Sequence, residues 1–214
     1  MEKYIENTMK NLEKNGMKPF YVETKEEVLP IVKALVKEGE SVSHGGSETI
    51  KACGIPELLN SGNYDYIDRS KYEGEAVRKA YIKAFGCDTY FTSSNAVTER
   101  GELYNVDGNS NRVACIVYGP KQVIMIVGKN KIVPDINAAI TRVKEKAAPP
   151  NCVRLGIPSP CAKLGKCVSL TRENPFMCDG CAADTRICCN YVVSAKQRHN
   201  GRIKVIIVNE ELGY

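Results

Sequence analysis

Short apolar runs alternate with amphipathic helical patterns along almost the whole chain. Residues 3–14 put Tyr4, Ile5, Met9 and Leu12 on one helical face, and Asn15-Gly16 stops that helix. Phe20-Tyr21-Val22 is a short strand. Thr24 and Glu27 fit a capping box ahead of a helix that buries Val28, Val32, Leu35 and Val36. Pro30 forces a kink or a late start in that helix, and Gly39 ends it. Further strands are expected at Ser41-Val42-Ser43, Asp65-Tyr66-Ile67-Asp68 and Thr89-Tyr90-Phe91-Thr92. A short helix from Ile55 to Leu59 and a longer one over residues 71–85 separate them. The longer one turns Tyr72, Ala76, Ala80, Tyr81 and Ala84 inward. Residues 113–118 and 123–127 are two β-branched-rich runs around a Gly119-Pro120 turn, and both are expected to be buried strands. Pro134 opens a helix, the prolines at 149 and 150 break it, and residues 203–208 form a last apolar strand. Strands alternating with helices imply an α/β fold: a mainly parallel sheet with helices flanking both faces.

A chain of 214 residues suits one such domain. No run is long enough to cross a membrane, and the N-terminus lacks a charged-then-apolar leader. The expectation is a cytoplasmic protein without membrane insertion. The net charge of +5 is scattered rather than gathered into a basic stripe, so nucleic acid is not the expected partner.

In a parallel sheet, ligands sit beyond the carboxyl ends of the strands. Two polar segments follow strands here. His44-Gly45-Gly46-Ser47 runs from one strand into a helix, and free backbone N–H groups there can cradle an anion. The second segment runs from Asn95 through Asp107, Asn109, Asn111 and Arg112, and it is too rich in Asn, Asp and Gly to be packed filler. The two segments are expected to meet at one mouth. Arg112 and Lys131 are candidates to pair with an anion, and Glu99 and Asp107 are the carboxylates available for acid–base work. His44 and His199 have no partner evident in the sequence.

Seven of the ten cysteines fall between residues 152 and 189. In a cytosolic protein such a cluster points to a metal or redox site rather than to disulfides. Cys178-Asp-Gly-Cys181 is a two-thiolate hook. Cys161 and Cys188 complete a four-thiolate set, and Cys167 competes with Cys178 for membership. Four thiolates suit zinc or an iron–sulfur cluster. Residues 152–190 are therefore expected to be a cysteine-rich excursion before the last strand, with Lys163, Lys166, Arg172 and Arg186 available to offset thiolate charge.

Ser94-Asn95-Ala96-Val97-Thr98-Glu99, Gly101, and Asn105-Val106-Asp107-Gly108-Asn109 with Asn111-Arg112 resemble the signature of the LUD domain, named for lactate utilization. Asn130-Lys131-Ile132-Val133-Pro134 and the final Leu212-Gly213-Tyr214 extend the likeness over nearly the whole chain. The resemblance implies a fold of the sugar-phosphate isomerase and CoA-transferase type (NagB/RpiA/CoA-transferase-like). It implies a small anionic ligand, such as a carboxylate, phosphate or CoA-type group, held by His44, Gly45, Gly46, Ser47, Asn95, Asp107, Asn109, Asn111, Arg112 and Lys131. It also implies a link to organic-acid or lactate oxidation through other redox subunits, with a four-iron iron–sulfur cluster set ahead of zinc on Cys161, Cys167, Cys178, Cys181 and Cys188. Glu99 as a nucleophile would make the chemistry CoA-transferase-like. The alternative is a non-catalytic scaffold or ligand sensor of an oxidoreductase complex with a structural zinc.

Overall fold

Consecutive residues of the central strands feed two different hydrophobic cores, and that alternation fixes the architecture. The structure, a computed structural model, describes residues 1–173 and 175–214. In chain order its first half comprises α1 (Lys3–Lys14), β1 (Lys18–Val22), α2 (Val28–Leu35), β2 (Ser41–His44), α3 (Glu48–Ala52), α4 (Ile55–Leu59), β3 (Asp65–Tyr66), α5 (Glu75–Phe85) and β4 (Thr89–Thr92). There follow β5 (Ala96–Thr98), β6 (Leu103–Asp107), α6 (Asn111–Val117), β7 (Gln122–Gly128), β8 (Ile132–Val133), α7 (Ile136–Arg142), α8 (Ala148–Arg154), α9 (Pro160–Leu164), β9 (Asn190–Ser194) and β10 (Ile203–Val208).

Six strands form one sheet in the order β1-β10-β7-β4-β2-β3, with every neighbouring pair parallel. On one face Ile124, Ile126, Ile206 and Val208 pack with Val28 and Val32 of α2, Ile50 of α3 and Leu59 of α4. On the other, Val123, Met125, Val127, Val205 and Ile207 pack with Ile5 and Leu12 of α1 and Ile116 of α6. Burying each such side chain contributes roughly 1.5–3 kcal/mol. A one-residue slip would exchange the two sets, so register is tightly specified.

A second sheet, in the order β8-β5-β6-β9, stands beside the first. Val97 and Leu103 join the α1 core, while Ala96 and Tyr104 pack with Ala139 and Val143 under α7. The antiparallel β6–β9 pair, Leu103↔Ser194 to Asp107↔Asn190, ties the cysteine-rich segment to this sheet.

Three expectations need correction. Residues 113–118 are not a strand: residues 111–117 form α6. Asp107 explains the difference, because its carboxylate accepts from the backbone N–H groups of Asn109, Ser110 and Val113 and so caps the helix start. Val113 and Ile116 turn inward at helical spacing, while Val117 is 58% exposed. The prolines at 149 and 150 do not end the helical run. They occupy the first turn of α8, where a missing N–H costs nothing, and a π-helical turn, Val143–Ala147, links it to α7. Pro134 lies before the helix it was expected to open; Asp135 caps α7 by accepting from Ala138 N–H.

Candidate functional site

The carboxyl ends of β2, β4 and β7 open onto a cleft of about 550 Å³. Gly46 and Ser47 line it after β2, Ser93 to Asn95 after β4, and Lys131 after β7. Asp107, Asn109, Asn111 and Arg112 close one side. The two segments expected to converge do so.

Arg112 organises this convergence. Its Nη1 donates to Ser93 O at 3.2 Å and Asn105 Oδ1 at 2.7 Å, and its Nη2 donates to Asn95 Oδ1 at 2.9 Å and Val106 O at 2.8 Å. Its Nε lies 3.8 Å from Asp107 Oδ2. Burial pulls the guanidinium below its ordinary value, and Asp107 opposes that shift. With its donors committed to the protein, Arg112 is a tie-bar rather than a free anion ligand. Asn95 is orientated by it. The Asn95 Oδ1 accepts from both Arg112 and Val106 N–H, which leaves the amide NH₂ as its uncommitted group.

Gly45 and Gly46 leave room for close neighbours: Tyr90 Oη would stand 3.1 Å from a Cβ on Gly45, and an arginine approaches each glycine. A Cβ on Gly45 would stand 3.2 Å from Arg112 Cδ, and one on Gly46 would stand 2.9 Å from Arg69 Nη2. His44 sits behind the cleft. Its ring stacks on Tyr66 at 5.7 Å, and Nδ1–H donates to Gly45 O at 2.8 Å. Burial lowers its pKa, so His44 acts here as a neutral brace of the loop. Ser47 Oγ caps the five-residue α3, accepting from Ile50 N–H at 3.5 Å.

The two proposed carboxylates lie elsewhere or are occupied. Asp107 is engaged in capping α6. Glu99 sits at the far end of β5, where its backbone N–H donates to Val133 O and its carbonyl accepts from Asn11, and it does not line the cleft. The four residues from Asn95 to Glu99 carry the chain roughly 13 Å away at the rise of a β-strand.

Lys131 lies buried at the cleft. Its Nζ donates to Thr49 Oγ1 at 2.7 Å and Ser93 Oγ at 3.0 Å. Burial, reinforced by Arg142 and Arg112, brings its pKa down from 10.5 to about 7. Among the described residues it makes no ion pair with a carboxylate. Arg69, Tyr81, Arg154 and Tyr214 also line the cleft and were absent from the sequence-based set. Arg154 donates to Tyr214 Oη at 2.6 Å and Asn151 Oδ1 at 2.7 Å and faces Glu48 at 3.7 Å. Arg69 lies over the Tyr81 ring at 5.8 Å. The run Leu212-Gly213-Tyr214 was the one sequence signal that could have brought the chain end into the site.

A separate void of about 30 Å³ is framed by Cys152, Cys161, Cys167, Cys181 and Cys188, with Ser159 and Tyr104. Four of the five cysteines expected to form a metal set are thus gathered, and Cys152 stands where Cys178 was expected. Cys178 is exposed and does not line the void. The Cys152 and Cys161 sulfurs are 3.7 Å apart, and Cys161 lies 3.2 Å from Ser159 Oγ. Burial pushes the Cys188 thiol up to about 12, with Cys167, Cys161 and Cys152 adding to the shift, and burial takes Cys152 to about 11. No disulfide joins any of the ten cysteines. Among the described residues no three His, Cys, Asp or Glu side chains stand as a preformed ion cage.

Arg186 favours the Cys188 thiolate, as expected, and it is also a structural strut. It crosses the turn to donate to the carbonyls of Cys178, Cys181 and Cys188 and to Tyr191 Oη. Gly180 permits that passage, since a Cβ there would fall 2.8 Å from Arg186 Cζ. Arg172 is engaged by Asp179 at 3.0 Å, and Lys163 and Lys166 are exposed. Lys144 is a second cation beside the thiols: its Nζ donates to Phe176 O at 2.8 Å, and it couples electrostatically to Cys167 and Cys188. Val143, Ala148, Arg186, Ile187 and Cys188 line both cavities and form the wall between them.

No curated protein matches the chain. Among solved structures, a DUF162 family protein from Deinococcus radiodurans is similar at 15% identity over 97% of both chains, with a TM-score of 0.53. Smaller parts match eIF2B beta from Chaetomium thermophilum, at 15% identity, 52% of this chain, 39% of that one and a TM-score of 0.34. Ribose 5 phosphate isomerase A from Neisseria gonorrhoeae matches at 12% identity, 61% of this chain, 55% of that one and a TM-score of 0.32. DUF162 is the earlier name of the LUD domain, and the LUD domain profile itself matches residues 5–208. With the Arg112-tied loops inside a match of that extent, the chain belongs to the LUD domain family.

Proposed function

We propose that the cleft binds a small anion carrying a carboxylate or phosphate, in the service of organic-acid or lactate metabolism. The observation that carries this reading is the charge balance of the cleft. Asp107 is opposed by Arg112 and Glu48 by Arg154, and the remaining carboxylate on the lining, Asp184, stands against Arg69, Arg186 and the partly protonated Lys131, so positive charge is in excess among the described residues. An anion is the natural complement to such a cleft, and the Asn95 amide and the Gly46-Ser47 backbone offer it hydrogen bonds. A CoA-type ligand would use the same cations for its phosphates.

Calorimetry against lactate, pyruvate, phosphate and CoA tests this. Binding of one of them that weakens severalfold in Ser47→Ala and Arg69→Ala, with unfolding unchanged, supports the cleft. Affinity untouched by both substitutions places the ligand elsewhere and overturns the reading.

A second reading concerns the thiols. Two thiolates on one tetrahedral ion at about 2.3 Å lie about 3.8 Å apart, close to the Cys152–Cys161 separation of 3.7 Å. The void of about 30 Å³ has room for a single ion. An iron–sulfur cluster, which would supply one-electron transfer beside the cleft, requires the walls to move outward. Cys152, Cys161, Cys167, Cys181 and Cys188 are the residues that would hold either centre. Anaerobic purification with metal analysis and visible absorption separates them: iron with sulfide supports a redox subunit, and one colourless zinc supports a scaffold or ligand sensor. No helix is long and apolar enough to cross a membrane among the described residues.

A further inference from the structure

Lys131 lines the cleft with an amine whose chemistry goes beyond holding charge. A neutral amine has two hydrogens and one lone pair. Both hydrogens have acceptors here, Thr49 Oγ1 at 2.7 Å and Ser93 Oγ at 3.0 Å. Thr49 is itself held as an acceptor for the amine, because its own hydroxyl hydrogen goes to Leu212 O at 3.0 Å. The lone pair is therefore left without a partner, on a nitrogen whose side chain lines the cleft.

We propose that Lys131 is the nucleophilic amine of an imine-forming site for a small anion that also carries an aldehyde or ketone. This rests on the anion-binding reading of the same cleft. The lone pair adds to the carbonyl carbon, and the carbon–oxygen π pair moves to oxygen. That oxygen takes a proton while the nitrogen loses one. The carbinolamine then expels water as the carbon–nitrogen double bond forms. One water is released, and no oxidant or reductant is needed. Two ligand classes share the required chemistry, 2-oxo acids and sugar phosphates.

The surroundings favour the free base. The charged groups facing the amine are Arg142 from α7 and Arg112 from α6, both cationic, with the Cys53 thiol behind. Burial acts in the same direction, and the amine titrates at about 7. An exposed lysine near its ordinary value of about 10.4 is protonated at that pH.

The test is reductive trapping. The full chain is incubated with pyruvate or with dihydroxyacetone phosphate and cyanoborohydride, then digested and mapped by mass spectrometry. The expected result is one saturable adduct on Lys131, with the mass of the ligand less one oxygen. The arm that saturates names the ligand class. Trapping at Lys131 should rise about tenfold from pH 6 to pH 8 and then level off, whereas exposed lysines climb throughout. This profile is read on the unaltered protein and does not depend on a variant that folds. Lys131→Met should lose the adduct, and its binding of inorganic phosphate is measured in parallel. Adducts spread over exposed lysines, with Lys131 unmodified, overturn the proposal. If phosphate or the carbonyl compounds bind the cleft without trapping, the amine idea falls and the anion reading survives. If nothing binds the unaltered protein and nothing is trapped, both fall.

Discussion

The polar cleft and the thiol void share a wall and are built in opposite ways. The cleft is open, about 550 Å³, and lined by polar groups whose partners are largely other protein atoms. Its shape comes from parallel strand ends and from the hydrogen bonds of Arg112. The void is about 30 Å³, and its lining contains five thiols, of which Cys152 and Cys161 contact each other and Cys161 and Cys167 each contact a serine hydroxyl. Residues 172–189 carry no helix or strand among the described residues. They are held by Arg186, by Lys144 and by the β6–β9 pairing. One site is preorganised by the fold. The other is a site whose rigidity would come from a bound ion, if the proposed metal is present.

The strongest test of this contrast is Arg112→Met. It strips hydrogen bonds from two carbonyls and two side-chain amides at once and leaves Asp107 without its cation. The expected loss is roughly 3–5 kcal/mol in urea unfolding, as for a broken buried ion pair. A loss below about 1 kcal/mol would mean that the cleft is held by the sheet alone.

Metal should act on the other side of the wall. In chelator-treated protein, zinc at a hundredfold excess over its Kd adds about 2.7 kcal/mol if it binds only the folded chain. Cys188→Ser should abolish that gain in thermal unfolding. Cys178→Ser, at an exposed thiol outside the void, should leave it intact. Equal losses in both variants would return Cys178 to the site.

The difference between the two regions also governs how far each could be foreseen. The sheet was legible because Val123 to Val127 and Ile203 to Val208 are unbroken apolar runs, and only a doubly covered strand tolerates that. The convergence of the two polar loops followed from their place after parallel strands. The second sheet was not legible: β5 and β9 are short, and Asn105 and Asp107 gave β6 the look of a loop. Residues 113–118 form an apolar run too short for periodicity to decide, and the Asp107 cap decided it. Within the site, residue type pointed to Arg112 and Asp107, but their hydrogen bonds are committed to each other's loops. Arg69 and Arg154 lie far from the signature and reach the cleft only through the fold. For the cysteines, spacing favoured the Cys178-Cys181 hook, while the helix pair α8 and α9 brings Cys152 against Cys161.

The pH response of stability isolates Lys131 within the cleft. Its folded pKa, about 7, lies below the ordinary 10.5. Between those values the unfolded chain binds the extra proton, so stability rises with pH through that window. The cost of the buried charge is fully present below pH 7. Relative to Lys131→Met, the unaltered protein should gain roughly 2–3 kcal/mol from pH 6 to pH 9. A flat difference in urea unfolding across that range would mean that the amine is solvated, and the contrast between a cleft held by protein hydrogen bonds and a void lined by thiols would weaken.

The smallest effect separates the two arginines at the cleft mouth. Arg154 faces Glu48 and is held by Tyr214 and Asn151, so part of its field is already answered. Arg69 has a tyrosine hydroxyl at 3.5 Å and no carboxylate partner among the described residues. Arg69→Ala should therefore weaken phosphate binding by roughly 1 kcal/mol, about fivefold, and reduce its salt dependence. Arg154→Ala should cost less than half of that free energy, since it also frees Glu48 to repel the anion only at the rim, where water screens it. If Arg154 proves the more costly, the anion sits toward the chain end and α8, against the wall it shares with the thiols. Ligand binding in the cleft would then sense whether that wall is metal-loaded, and the two regions would have to be treated as one coupled site.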